Sequence, residues 1–219
     1  MESLDKWGFV RAGLLRPDLH GMDIYETRLL EFLEHGTSSL MGISGMRGVG
    51  KTTLLKLIRT TYWQTNDYSF DYVLYVDAGD AGFTTAVLQD ILARRIGLDS
   101  SWPQTMSSDL LLANVISSRL KDKRFLLLLD DLRGAIDLSA IGLPMPLGHR
   151  QVVVFATRDQ AICVSMGCAG NNIQMQRLGE DDAWNLFRHC VGDDKITSFD
   201  PQIEDLAKQV TRPADLSPP

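Results

Sequence analysis

Short apolar runs alternate with segments whose apolar residues recur every three or four positions, and this alternation is the first structural signal in the chain. Leu40 to Ser44, Tyr72 to Val76, Phe125 to Leu129, Val152 to Thr157 and Asn172 to Met175 are dense in β-branched, aromatic or aliphatic side chains and predict strands. From Ile24 to Glu34, Leu29, Leu30 and Leu33 sit at helical spacing, and His35 to Ser38 follows as a linker. After Gly50, Leu54, Ile58 and Tyr62, with Leu55 and Leu57 beside them, trace another helical face. Thr84 to Ile96 and Ser107 to Leu120 predict two more helices, the second with Leu112, Ile116 and Leu120 along one side. Strands that alternate with helices imply a mostly parallel sheet covered on both faces. Beyond Arg177 the period is helical throughout. Ala183, Phe187 and Val191 mark one segment; Ile203, Leu206, Ala207 and Val210 mark a second, with Asp200 and Pro201 as its N-cap and first turn.

The strand at 40–44 runs into Gly45-Met46-Arg47-Gly48-Val49-Gly50-Lys51-Thr52, which satisfies GxxxxGK[ST] in the strand-loop-helix setting that a P-loop requires. Its glycines let successive backbone N–H groups converge on phosphate oxygens, and the helix N-terminus adds partial positive charge. Lys51 is a point charge for the β and γ phosphates, the Thr52 hydroxyl is a ligand for Mg²⁺, and Thr53 completes the loop. A glycine-rich turn that merely joins strand to helix is the plainer alternative, and the flanking elements weigh against it.

The run Phe125 to Leu129 delivers Asp130 and Asp131 to its C-terminal end, the arrangement of a Walker B strand. Asp130 is expected to hold Mg²⁺, and Asp131 to polarise an attacking water. Acidic residues also solvate strand ends, so this pair gains weight from the P-loop beside it. Thr157-Arg158 after the fourth strand sets a guanidinium at the same sheet edge, where it can sense a γ-phosphate; an ion pair with Asp159 or another acid is the competing reading. The fold class expected is therefore α/β: a P-loop NTPase three-layer αβα sandwich with a mostly parallel sheet and a short helical C-terminal extension.

Composition narrows the function. The net charge of -6 and the lack of a Lys/Arg-rich face argue against a general nucleic-acid binder, so phosphate recognition is local to the loop. Cys163, Cys168 and Cys190 form no CxxC pair and no zinc spacing with histidine, which reads as buried thiols in a reducing compartment. The start MESLDKWGFV has acidic residues where a signal peptide needs positive charge, and no apolar run approaches membrane-spanning length. A cytoplasmic protein without a membrane segment is expected.

The order of these motifs resembles the NB-ARC domain of plant nucleotide-binding leucine-rich-repeat (NLR) disease-resistance proteins, over about Leu19 to Val210. GMRGVGKTTLL at Gly45 to Leu55 is similar to that family's P-loop, FLLLLDDL at Phe125 to Leu132 to its kinase-2 motif, and VVFATRD at Val153 to Asp159 to the strand bearing its phosphate-sensing Arg. MQRLGEDDAWNLF at Met175 to Phe187 resembles the acidic turn and Ala-Trp helix of the family; core packing is the physical role expected of Trp184 and Phe187. Leu19-His20-Gly21-Met22-Asp23 with Glu26 is similar to the segment that lies near the adenine.

The resemblance implies a switch that binds ADP in an inactive state and exchanges it for ATP, with Mg²⁺, with adenine nucleotide as ligand and other NLR proteins or a second copy as partners, and with at most slow ATPase activity. It implies an organisation of an N-terminal extension at 1–20, a nucleotide-binding domain at 21–178, the start of a helical ARC-like subdomain at 179–211 and a tail at 212–219. Arg47 stands where the family usually has Gly, and after Val210 the chain reads TRPADLSPP in place of the GLPLAL stretch, with no MHD region following. The expectation is thus a truncated switch domain with weakened nucleotide retention. Two other readings stay open at this stage: a nucleotide-free interaction or decoy module of the same fold, and a small-molecule P-loop kinase.

Overall fold

A computed structural model describes residues 21–35, 38–64, 69–79, 83–98, 109–168, 170–192 and 201–211. The expected extension at 1–20, with Leu19 and His20, the tail at 212–219 and the N-cap Asp200 lie outside these residues. The chain divides into two compact units: residues 28–175, and the described residues 21–27 with those from 176 onward.

The larger unit is a five-stranded, wholly parallel sheet. Its elements are helix α1 (Asp23–His35, whose C-terminal part belongs here), β1 (Leu40–Ser44), α2 (Lys51–Gln64), β2 (Tyr72–Asp77), α3 (Thr85–Arg95), α4 (Asp109–Leu120), β3 (Phe125–Leu132), β4 (Gln151–Thr157), α5 (Gln160–Ser165) and β5 (Asn172–Gln174). The strand order is β2-β3-β4-β1-β5. The continuous apolar run Phe125 to Leu129 is fully buried, as a central parallel strand covered on both faces must be. One sheet face packs Leu74, Leu127, Leu129, Val153 and Phe155 against α3, α4 and α5; α2 covers the other face. This is the expected three-layer sandwich.

Three local choices fix how the layers meet. Thr84 caps α3, its hydroxyl accepting from the Val87 N–H at 3.3 Å, and Asp159 caps α5 by accepting from Ala161 N–H at 2.8 Å. At Gly42 a Cβ would stand 2.6 Å from Cys163 Sγ, 2.9 Å from Cys168 Sγ and 3.1 Å from Phe155 Cζ, so only glycine lets α5 lie this close to β1. Cys163 and Cys168 are buried as expected of structural thiols, and burial pushes Cys163 up to about 11. Cys190 is exposed, contrary to the expectation for all three, because it falls on the solvent side of the next helix. The short helix α5 was not legible in the sequence: six residues are too few to show a period.

In the smaller unit, α6 (Glu180–Val191) and α7 (Pro201–Thr211) pack on each other. The first turn of α6 carries Glu180, Asp181 and Asp182, whose negative charges complement the positive end of its dipole where Gly179 supplies no side-chain cap. Trp184 stacks on Phe187 with ring centroids 5.6 Å apart, and Lys208 lies 5.4 Å from the Trp184 ring. Core packing was expected of this pair; instead no residue of α6 is fully buried, and the two rings cover each other. The Tyr25 hydroxyl accepts from Gln176 N–H at 3.0 Å, and Met22 and Glu26 are buried. Among the described residues, no helix is long and apolar enough to cross a membrane.

Candidate functional site

β1 and β4 are neighbours, yet the chain leaves β1 for β2 at one edge of the sheet and leaves β4 for β5 at the other. A parallel sheet opens a crevice at such a switch point, at the carboxyl ends of its strands. A cavity of about 740 Å³ lies there, walled by Gly48, Lys51 and Thr52 from the P-loop, Asp130 and Asp131 from β3, and Arg158 after β4. That volume falls in the range of small-molecule sites, about 300–1,000 Å³.

The loop is built by its glycines. Gly48 and Gly50 have φ of 83° and 99°, a region that disfavours any Cβ. A Cβ on Gly45 would stand 2.6 Å from the Met175 carbonyl oxygen. Lys51 opens α2, is 8% exposed, and donates from Nζ to the carbonyls of Gly45 at 2.6 Å and Met46 at 2.7 Å. Burial lowers its pKa, the charge of Arg158 adds to that, and Asp131 and Asp130 oppose it. Two bonds leave the ammonium one further donor. Thr52 and Thr53 are exposed in the first turn of α2, at the positive end of its dipole.

Consecutive strand residues point to opposite faces, so Asp130 and Asp131 would ordinarily diverge. They share the cavity because β3 bulges: its register with β4 shifts between Leu129 and Leu132, with Asp131 at φ 51°. Asp130 is 4% exposed and both its oxygens are engaged, Oδ2 by the Tyr75 hydroxyl at 2.7 Å and Oδ1 by Asp131 N–H at 3.0 Å. Burial first, and the bond to Asp130 next, raise the Tyr75 phenol above its usual range, so it stays a donor. Asp131 meets Arg158 in a two-pronged pair: Nε to Oδ1 and a terminal nitrogen to Oδ2, each 3.0 Å. Arg133 adds a longer contact to Oδ2 at 3.4 Å. Arg158 therefore makes an acid pair of the kind weighed from the sequence, with Asp131 in place of Asp159, whose carboxylate caps α5.

The NB-ARC domain profile matches residues 23–197. A probable disease resistance protein of Arabidopsis thaliana is 40% identical over 175 residues, covering 79% of this chain and 18% of that protein. The chain belongs to the NB-ARC family. Disease resistance protein UNI of the same plant is 36% identical over 199 residues, covering 90% of this chain and 22% of UNI. The NB-ARC chain thus spans about a fifth of the length of the curated relatives it matches. Among solved structures, Cdc6p from Pyrobaculum aerophilum superposes with a TM-score of 0.60 at 14% identity, over 83% of this chain and 52% of Cdc6p. The ORC1 protein of Aeropyrum pernix gives 0.59 at 14%, over 92% and 57%. These likenesses support the P-loop NTPase fold alone.

The NB-ARC cavity gathers most residues singled out in the sequence: Arg47, Gly48, Gly50, Lys51, Thr52 and Thr53, with Asp130, Asp131 and Arg158 opposite. Gly45, Met46 and Val49 do not line it; the first two act through the carbonyls that hold Lys51, and the Val49 side chain packs toward Gly45. Lys56, Tyr75, Asp77 and Gly79 line the cavity and were not anticipated. Lys56 follows Thr52 by four residues and was legible as the next helical turn. Tyr75 and Asp77 share one face of β2, but only the pairing of β2 with β3 brings that face to the site.

The residues fit a phosphate chain and Mg²⁺. A Cβ at Gly48 would project into open space, so that loop backbone is accessible to a ligand. Thr52 and Asp130 offer a hydroxyl and a carboxylate, hard oxygen donors of the kind Mg²⁺ takes in small number beside waters and phosphates. Among the described residues no cluster of three or more His, Cys, Asp or Glu side chains forms a metal cage.

Proposed function

We propose that this NB-ARC chain binds ADP or ATP with Mg²⁺ in the crevice beside β1 and β4, and acts as a regulatory switch in plant defence. One observation carries the reading: the P-loop lysine, the Walker B carboxylates and Arg158 face a single cavity. The backbone amides of 45–50 and Lys51 would hold the phosphates, and Thr52 and Asp130 the ion, which when bound neutralises phosphate charge. Arg158 is the reporting group: in the Asp131 pair it is spoken for, and a γ-phosphate would compete for it. Asp131 would orient a water only once released from that pair, consistent with hydrolysis that is slow at most. The same reading takes 21–178 as the nucleotide-binding domain and 179–211 as the start of the ARC-like subdomain. It puts the protein in the cytoplasm, with other NLR proteins or a second copy as partners.

The test is to purify the chain, denature it and identify released nucleotide by chromatography, with Lys51→Ala as control. Adenine nucleotide in stoichiometric amount from the parent and none from Lys51→Ala is the expected result. A parent protein that carries no nucleotide, takes up none when offered, and still unfolds cooperatively would refute the proposal.

A further inference from the structure

Among the described residues, the side chain that hydrogen-bonds Asp130, the carboxylate assigned to Mg²⁺ in the proposed function, is Tyr75, 55 residues earlier in the chain. β2 pairs with β3 so that Tyr75 lies opposite Leu128 and Asp77 opposite Asp130. Tyr75 and Asp130 are therefore diagonal neighbours on one sheet face, the distance at which an aromatic side chain reaches across. The tyrosine is held at both ends. Arg59 of α2 lies 5.7 Å from its ring centroid, and Arg95 of α3 donates to its main-chain carbonyl. Its hydroxyl then meets Oδ2 at 2.7 Å, the length of a charge-assisted bond. Among the described residues, the other hydrogen bond to that carboxylate comes from the Asp131 N–H to Oδ1.

We propose that Tyr75 is a positioning residue for the Mg²⁺-holding carboxylate, its hydroxyl fixing Asp130 in one orientation at the cavity floor. Partners of metal ligands act by orienting the ligand in this way, and their loss typically costs 10–100-fold in metal affinity. The inference rests on nucleotide binding at this site, and the experiment separates the two.

The affinity of a fluorescent ADP is measured against free Mg²⁺ in chelator-buffered solution, for the parent and for Tyr75→Phe, with thermal melts alongside. Read relative to each protein's own ADP affinity in excess chelator, the Mg²⁺ midpoint is expected to rise about tenfold in Tyr75→Phe. In an Asp130→Asn background the same substitution should move the midpoint no further. Tyr75→Met, which also lacks a donor, gives the same reading should the phenylalanine variant not fold. A midpoint that stays put or falls, with ADP still bound, overturns the role of Tyr75 and leaves the nucleotide reading standing. A parent that binds no ADP at any Mg²⁺ concentration overturns both.

Discussion

Freeing Arg158 should tighten binding of a triphosphate. Asp131→Asn is the substitution that isolates this effect, because position 131 has φ 51° and asparagine tolerates that conformation where alanine would add strain. Two unit charges about 4 Å apart attract by about 4 kcal/mol at an effective dielectric of about 20. Desolvation and side-chain ordering cancel most of that in exposed pairs, which retain about 0.2–1 kcal/mol. The Arg158 side chain is 49% exposed and that of Asp131 22%, and the pair is two-pronged, so about 1 kcal/mol is the reasonable net value. A γ-phosphate that recruits Arg158 must first offset it, so removing the carboxylate charge should tighten a non-hydrolysable ATP analogue about fivefold. ADP, lacking the group that Arg158 would reach, should gain less. Calorimetric titration of both ligands reads the difference directly. An analogue bound no more tightly by Asp131→Asn refutes the reasoning, and so does an equal gain for ADP, which would reflect only a less negative cavity.

Two further outcomes test the scaffold. Gly42→Ala places a methyl against the buried sulfurs of Cys163 and Cys168, and overpacking of this kind costs about 1–3 kcal/mol; urea melts that move by less than about 0.5 kcal/mol would show that α5 shifts freely. Asp71 is held by the Arg124 guanidinium and main-chain N–H, which lower its pKa to about 2. A depressed carboxylate stabilises the fold above its unfolded pKa of about 3.9, and that contribution fades as pH falls toward about 2. The stability gap between parent and Asp71→Asn should therefore be constant above pH about 4 and close below it, as chemical denaturation across that range would register; a gap independent of pH contradicts the assignment.

Much of this protein was legible in the sequence because much of its signal is local. The P-loop is a contiguous stretch whose glycines and following helix define their own geometry, and the buried run Phe125 to Leu129 announces a central strand. Element edges moved by a residue or more: β2 and β3 run on to Asp77 and Leu132, and β4 begins at Gln151. Hydrogen-bonded pairing sets those ends, and periodicity does not. Which strands become neighbours is a different kind of fact. That β3 lies between β2 and β4, so that Tyr75 reaches Asp130 and Arg158 reaches Asp131 across 55 and 27 residues, depends on long-range parallel pairing that no window of sequence encodes. The bulge at Asp131 is of the same kind. The sequence by itself determined that two carboxylates end a buried strand beside a phosphate-binding loop. Only the tertiary structure decided that both turn into one cavity, because an extra residue in the ladder, and not any property of aspartate, rotates the second of them inward.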